Sequence, residues 1–203
     1  MGTISLTKDG TGTWSLSASN TYSGVTFVNN GILSLTGTFG SIRHTSAITV
    51  TGGGTLKLNS SASENNTDRL ANATPLTLAN GTLSFTHDGG AANFEESVGT
   101  VTLAAGANVI SASQAADAQT SALRLAGLVR NGSATVNFTG TGLGASDRNR
   151  IFIAGLADGP LGSWATVNGT SYAAYSSAQG IYAFGTLSEV EIAARAPSQI
   201  PDN

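Results

Sequence analysis

A short unit of two alternating strands joined by a glycine-containing turn recurs along this chain, and it constrains the fold more than any other feature. The unit occurs as GVTFVNNGILSL (24–35), AITVTGGGTLKL (47–58), PLTLANGTLSF (75–85) and TVTLAAGANVI (100–110). Its turn glycines, Gly31, Gly54, Gly81 and Gly106, are separated by 23, 27 and 25 residues, and Gly132 follows 26 residues later. Self-similarity at a nearly constant period is the signature of a repeat protein.

The alternation within each unit predicts which side chains share a face. Because successive side chains of a strand point to opposite faces, the apolar residues of each unit lie in one row. Stacked coil upon coil, such rows would form a continuous internal ladder, and the glycines would supply the positive φ of the sharp corners. The predicted ladder contains Leu33, Leu35, Leu56, Leu58, Leu83 and Phe85. This pattern predicts a β-solenoid; a two-sheet sandwich also has closely spaced strands, but the persistence of one pattern favours the solenoid.

The first unit has further features that resemble a known family. KDGTGTWSL (8–16), NTYSG (20–24) and NGILSL (30–35) are similar to the autotransporter-associated β-strand repeat, a passenger-type repeat of bacterial surface proteins. The unit departs from the family in having Val25 where a second glycine is common. The resemblance implies a right-handed parallel β-helix that is exported and displayed at the bacterial cell surface, and it implies no catalytic residues.

We therefore predict an all-β chain that forms a right-handed parallel β-helix (a β-solenoid) of about five coils with a β-rich C-terminal closing region. The coils are predicted to span residues 1–146. Residues 147–195 are predicted to close the same solenoid, with hairpins in place of regular coils. Residues 196–203, which contain two prolines, are predicted to be a tail or linker. The alanine-rich stretch 113–125 would suit a short helix, although its end alternates like a strand.

The composition argues against several classes of function. Only 10% of residues are charged, the net charge is −3, and no basic stripe exists, so binding to nucleic acid is not expected. There is no cysteine, and hence no disulfide or thiol chemistry. No apolar run approaches the roughly 20 residues that span a bilayer, so this segment is predicted not to insert into a membrane. The start, MGTISLTKDG, lacks the apolar core of a signal peptide and begins as if within a repeat, which predicts an excised fragment with Met1 added.

The acidic residues offer little support for catalysis or metal binding. The only adjacent acid pair, Glu95 and Glu96, would point to opposite faces of a strand, and we interpret it as part of a solvated loop. Asp68, Asp88 and Asp117 would lie at one corner of successive coils, but the glycine-rich nonapeptide that binds calcium is absent.

The remaining reactive residue types are equally sparse. His44 and His87 are 43 residues apart without spaced partners, and we interpret them as loop residues. No G-x-S-x-G elbow occurs, so nucleophilic hydrolysis has no support. The sequence therefore predicts no catalytic residue, no cofactor and no metal.

The predicted function is structural: a non-enzymatic extracellular stalk or fibre subunit. The end of a solenoid presents strand edges with unpaired N–H and C=O groups. One end begins with the alternating and uncharged residues 1–7, and the other, 181–196, carries Glu189 and Glu191 as guards. Two unlike open ends predict head-to-tail stacking of copies, with adhesion as a purpose.

Two alternatives stay open. A glycan-binding surface module would use Trp14, Trp164, Tyr172 and Tyr175, provided that their rings form an exposed coplanar row. A polysaccharide-cleaving β-helix enzyme would need acids and bases gathered in a groove, and the chain has few charges per coil from which to build one.

Overall fold

The chain alternates between two sheets. The computed structural model describes residues 3–184, and this part consists of strands, turns and loops without a helix. Sheet A contains β1 (Leu6–Lys8), β3 (Thr26–Val28), β5 (Ile48–Thr51), β7 (Leu76–Ala79), β9 (Phe94–Ala105), β11 (Ser121–Arg130) and β13 (Arg150–Ile153), in that order. Sheet B contains β2 (Thr13–Leu16), β4 (Ile32–Leu35), β6 (Thr55–Ser60), β8 (Thr82–His87), β10 (Ala107–Ala112), β12 (Thr135–Thr139), β15 (Ala165–Val167), β16 (Ser171–Ser176) and β14 (Gly159–Pro160), and β17 (Gly180–Ala183) pairs with β16.

From β1 to β13 in sheet A and from β2 to β15 in sheet B, each strand pairs with the strand one coil away, not with its neighbour in sequence. All pairings in sheet A are parallel, as are those in sheet B from β2 to β15. Parallel neighbours need a crossover, and here the crossover is a strand of the other sheet, so the chain winds as a coil. The predicted β-solenoid of about five coils is confirmed, and the sandwich alternative is wrong. The short helix considered for 113–125 is not formed, since 113–120 is a loop and β11 follows it.

The predicted internal ladder is present in sheet B. Leu33, Leu56 and Leu83 occupy one register position on successive strands. The ladder continues through Ile110 to Phe138, and all five side chains are fully buried. Burial of such a side chain stabilises the fold by about 1.5–3 kcal/mol, so each added coil contributes through its own apolar rung. The inward residues of both sheets belong to one hydrophobic core.

The glycines at the short corners from sheet A to sheet B serve two different purposes. Gly31 has φ +64°, as the sequence predicted for a corner residue. Gly54 and Gly81 are not in the left-handed region, and the prediction of positive φ is wrong for them. A Cβ at Gly54 would lie 2.3 Å from the carbonyl oxygen of Val28, and one at Gly81 would lie 2.5 Å from that of Val50. These two glycines are needed because the previous coil passes too close for a side chain.

The winding changes at the C-terminal end. β13 and β15 still pair in parallel with the coils before them, whereas β16 runs antiparallel to β15, β14 and β17. The predicted β-rich closing region with hairpins is therefore confirmed. The boundary placed between 146 and 147 stays a prediction. The part of the closing region beyond Phe184, the strand with Glu189 and Glu191, and the 196–203 tail lie outside the described residues.

Candidate assembly surface

At its N-terminal end the solenoid leaves one edge of each sheet without a neighbouring strand in the described part of the chain. β1 pairs with β3 alone. The amide of Leu6 donates to Val25 and the carbonyl of Lys8 accepts from Asn29, both at 3.0 Å, so these residues of β1 face β3. Because the backbone groups of successive residues alternate in direction along a strand, the N–H and C=O of Thr7 point to the open edge.

Strand β2 repeats this arrangement at the edge of sheet B. The carbonyl of Gly12 accepts from Ile32 at 3.1 Å, and that of Leu16 accepts from Thr36 at 3.0 Å. The backbone groups of Ser15 therefore point away from β4. A row of unpaired backbone groups is a template on which another strand can pair.

The first rung exposes large apolar side chains. Trp14 lies in register with Leu33, yet it is 45% exposed whereas Leu33 is fully buried. Ile4 is 69% exposed, and Leu6 and Leu16 are half-buried against the core. The same ladder position is thus buried in one coil and exposed in the previous one, because within residues 3–184 only the former has a coil on each side. We call Ile4, Thr7, Trp14 and Ser15, together with the open edges of β1 and β2, the N-terminal rung.

The lysine at this end is directed inward. Lys8 is fully buried, and its ammonium donates to the carbonyl oxygens of Asp9 at 2.8 Å, Gly10 at 2.7 Å and Asn30 at 3.1 Å. It also lies 5.5 Å from the centre of the Trp14 ring, within the range of a cation–π contact. The Lys8 ammonium is therefore bound to backbone carbonyl oxygens. Its charge does not lie at the open edge, where it would oppose pairing with another strand.

The C-terminal end is built differently. Gly180 of β17 lies so close to β13 that a Cβ there would be 2.5 Å from the carbonyl oxygen of Ile151. The amide of Ile153 donates to the hydroxyl oxygen of Tyr175 at 3.4 Å. Tyr175 and Ile181 are both buried. Antiparallel hairpins therefore cover the last parallel strand of sheet A, and the two ends of the solenoid are unlike.

A comparison with protein families bears on this end of the molecule. Residues 6–35 match the family model of the passenger-associated-transport-repeat. The chain carries a passenger-associated-transport-repeat. No curated protein and no solved structure matches it. The resemblance predicted from the sequence is confirmed, and the repeat contains β1 to β4, with Thr7, Trp14 and Ser15 of the N-terminal rung, whereas Ile4 precedes it. The repeat and the β-solenoid together fit a structural module of an autotransporter passenger, and the repeat family suggests a surface or extracellular location.

The four aromatics predicted as glycan contacts do not share one surface. Trp14 belongs to the repeat, at one end of sheet B, while the other three lie at the opposite end. Trp164 is half-buried with the guanidinium of Arg130 5.4 Å from its ring centre, and Tyr172 is half-buried opposite Thr166. Tyr175 is only 6% exposed. Glycan binding by these residues stays a prediction.

The adjacent acids beyond the repeat lie in a strand, and the expectation of a solvated loop is wrong. Both belong to β9, and their side chains do lie on opposite faces, as predicted. Glu95 is half exposed and pairs with Arg124 at 2.6 Å, whereas Glu96 is fully buried. One oxygen of Glu96 accepts from the amides of Arg69 at 3.0 Å and Leu70 at 3.4 Å.

The environment of Glu96 keeps this carboxyl uncharged at neutral pH. Burial raises its pKa to about 8, against the opposing effects of the two amides and of the Arg69 charge. Arg69 is also fully buried, and its guanidinium donates to the carbonyl oxygens of Gly37 at 3.0 Å and Gly40 at 2.9 Å and to the hydroxyl of Ser60 at 3.2 Å. Arg69 thus links successive coils, since its amide donates to Glu96 and its guanidinium donates to the loop of Gly37 and Gly40. No pattern in the sequence predicted this contact.

The residues considered for metal binding are engaged separately. Asp68 pairs with Arg43 at 2.8 Å, and Asp117 pairs with Arg148 at 2.7 Å. Asp88 accepts from the amide of Ala62 at 3.2 Å and from that of Gly90 at 2.9 Å. Within residues 3–184, no group of three or more His, Asp or Glu side chains is arranged to hold a metal ion.

The two histidines also lie apart. His44 is exposed in a turn. His87 is the last residue of β8, so the prediction of a loop residue is wrong for it. Its ring stacks on Phe94 with ring centres 4.0 Å apart, and its Nε2 lies 2.9 Å from the carbonyl oxygen of Ser113. In the described range, no helix is long and apolar enough to span a membrane.

Proposed function

We propose that this chain is a non-enzymatic structural segment of a bacterial passenger, a solenoid stalk at the cell surface or outside the cell, whose copies stack head to tail. The observation that carries the proposal is the N-terminal rung, where Trp14 is 45% exposed at a ladder position that is fully buried one coil later in Leu33. A further coil placed on this rung would extend both sheets and the internal ladder at once.

The exposed side chains of the rung set the strength of such a contact. Covering the exposed 45% of Trp14, about 110 Å² of a side chain of about 250 Å², would contribute about 3 kcal/mol. Covering Ile4 would add about 1–2 kcal/mol. Association costs about 4–15 kcal/mol, so backbone pairing at Thr7 and Ser15 is needed as well. We therefore expect stacking only at high protein concentration.

The two ends determine the direction of stacking. The N-terminal end offers open parallel edges, and the C-terminal end offers antiparallel strands. A contact between two unlike ends is heterologous, and it propagates instead of closing. Within one longer polypeptide the same rung would receive a neighbouring coil, which gives a stalk without polymerisation. Adhesion belongs to the proposal because a stalk holds a binding surface away from the cell.

The stacking claim is tested by a pair of double variants at the open edges. Proline at positions 7 and 15 (T7P and S15P) removes two outward amides that have no partner in the described chain, so the internal ladder keeps its hydrogen bonds. Alanine at the same positions (T7A and S15A) keeps those amides and is the matched control. We expect light scattering to show a mass that rises with concentration for the wild type and the alanine variant, but not for the proline variant.

Two results would remove head-to-tail stacking from the proposal. One is a wild type that keeps the mass of a single chain at every concentration, which would leave the stalk without self-assembly. The other is a proline variant that assembles as readily as the alanine variant, because the outward amides would then play no part in the contact.

We propose the absence of enzymatic activity from the burial and the ion pairs of the acidic side chains. Glu96 is buried and bonded to backbone amides, and the carboxylates of Asp68, Glu95 and Asp117 are paired with separate arginines. Glycoside hydrolysis needs two carboxyl groups on either side of one bond. Release of reducing sugar from neutral or acidic glycans in a turnover assay would refute this part of the proposal.

A further inference from the structure

Four Asn-Gly pairs lie in the turns of the solenoid, at Asn30, Asn80, Asn131 and Asn168. In such a pair the main-chain nitrogen of glycine can attack the side-chain carbonyl carbon of asparagine, because glycine has no side chain to obstruct it. The reaction requires that this nitrogen lose its proton and that the carboxamide be free to approach. Hydrogen bonds that hold either group elsewhere must break first.

Two of the four pairs are locked by such hydrogen bonds. The Oδ1 of Asn80 accepts from Ala107 at 3.1 Å, and the Gly81 amide donates to the side chain of Asn108 at 3.2 Å. In the Asn168 pair, Oδ1 accepts from the amide of Gly140 at 3.0 Å and Nδ2 donates to the carbonyl of the same residue at 3.2 Å. The Gly169 amide is held in turn by Asn137 at 2.9 Å. In both pairs, nucleophile and electrophile are held apart.

The pair at Asn30 is arranged in the opposite way. The amide of Gly31 donates to the Oδ1 of Asn30 itself at 2.7 Å, and in the described chain neither group has another hydrogen-bond partner. The Asn30 side chain is exposed, so water reaches it. The attacking nitrogen and the carboxamide that it would attack are therefore already in contact.

The pair at Asn131 is open but not preassembled. Its main chain is held, with the amide of Asn131 donating to Leu103 at 2.9 Å and its carbonyl accepting from Ala134 at 3.2 Å. Neither the Asn131 carboxamide nor the Gly132 amide has a hydrogen-bond partner in the described part of the chain. A Cβ at Gly132 would meet nothing within 4 Å.

We propose that Asn30 is a site of spontaneous deamidation, with Asn131 second, and that Asn80 and Asn168 are protected. The Gly31 nitrogen gives up its proton to solvent and forms a bond to Cγ of Asn30. The Cγ–Nδ2 bond breaks, the nitrogen leaves as ammonia after taking a proton, and a five-membered imide remains. Water then adds to either imide carbonyl and opens the ring to aspartate or isoaspartate.

The product alters the corner that holds Lys8. The carbonyl oxygen of Asn30 is one of the three acceptors of the Lys8 ammonium, and isoaspartate places an extra methylene in the main chain at that point. A Cβ at Gly31 would lie 2.4 Å from the carbonyl oxygen of Gly10, so the corner has little room for a longer main chain. Conversion of Asn30 therefore slowly modifies the surroundings of Lys8, whose ammonium lies 5.5 Å from the ring centre of Trp14 in the N-terminal rung.

The test follows all four pairs in one sample of the full chain. The protein is kept at mildly alkaline pH, and peptide mass spectrometry records the gain of about 1 Da at each asparagine, with isoaspartate distinguished by its fragments. A second sample in concentrated urea measures the four rates without the fold. The N30Q variant, whose longer side chain would need a larger ring, is the control for assignment against Asn29.

We expect Asn30 and Asn131 to react faster in the folded chain than Asn80 and Asn168, with each rate compared with that of the same residue in urea. Asn80 and Asn168 should react at least about tenfold more slowly than in urea, because two or more hydrogen bonds must break before the reaction. Each of these hydrogen bonds is equivalent to about a fivefold decrease in rate. The proposal is overturned if Asn30 is as slow as Asn80 in the folded chain. It is equally overturned if Asn30 stays unchanged while the sample in urea reacts.

Discussion

Substituting Glu96 by glutamine should make the stability of the solenoid less sensitive to pH. Glutamine keeps the oxygen that accepts from the Arg69 and Leu70 amides and replaces a carboxyl that is uncharged in the folded state. The pKa of Glu96 is raised by burial from 4.5 to about 8, so the folded chain binds a proton that the unfolded chain releases. Its contribution is therefore fully present below pH 4.5 and is lost progressively as pH rises to about 8.

The magnitude follows from the size of this shift. At pH 7 the wild type must protonate a carboxyl whose unfolded pKa is 4.5, which costs about 3 kcal/mol, and the cost levels off at about 5 kcal/mol above pH 8. The E96Q variant has no such cost. Relative to the wild type, it should gain about 3 kcal/mol between pH 4 and pH 7, equivalent to about 1–3 M in the midpoint of urea unfolding.

The measurement is a urea unfolding series on both proteins at several pH values. Other titrating groups are common to the two chains, so the difference between the curves isolates Glu96. The matched control is E95Q, at the exposed neighbour that pairs with Arg124, and it should change stability by no more than about 1 kcal/mol. Parallel curves for E96Q and the wild type from pH 4 to pH 8 would refute the assignment of an uncharged, buried Glu96.

Further substitutions test the ladder, the loop bridge and the closing hairpin. L56A removes a fully buried rung between Leu33 and Leu83 and should lower the free energy of unfolding by about 2–5 kcal/mol in urea titrations. R69M leaves the carbonyls of Gly37 and Gly40 without their donor. Hydrogen exchange should show that the free energy of opening of those loops falls by about 1–3 kcal/mol for each unpaired carbonyl, and unchanged exchange would contradict the link through Arg69. Y175F removes only the acceptor for the Ile153 amide. A decrease of more than about 3 kcal/mol in the free energy of unfolding would show that the Tyr175 hydroxyl does more than accept this hydrogen bond.

The alternation of apolar and polar residues along the strands predicted which side chains face the core. Leu56 and Leu58 alternate with polar neighbours, and both lie in the core as expected. The same rule applies to β9, where Phe94, Glu96 and Val98 share the inward row. The inward position of Glu96 was therefore readable from the pattern, and its charge led to the wrong interpretation, because burial of a carboxyl is exceptional unless its proton is retained.

Other features depend on contacts that no local pattern encodes. Arg69 lies in a long loop without periodicity, and its partners Gly37 and Gly40 belong to the previous coil. The role of Gly54 likewise comes from the close passage of Val28 in another coil, not from its own φ. Trp14 is an intermediate case, because aligning TWSL with ILSL places it opposite Leu33, whereas its exposure depends on there being no coil beyond it in the described part of the chain.

Negative-stain electron microscopy of the concentrated wild-type chain tests the central claim most directly, because it shows whether the N-terminal rung accepts a further coil. Stacking along the solenoid axis predicts rods of one constant width, that of a single solenoid, whose lengths increase with protein concentration. The T7P and S15P double variant should give single short particles at the same concentration. Only discrete single particles of the wild type at every concentration, or pairs that never grow longer, would contradict head-to-tail stacking through this rung.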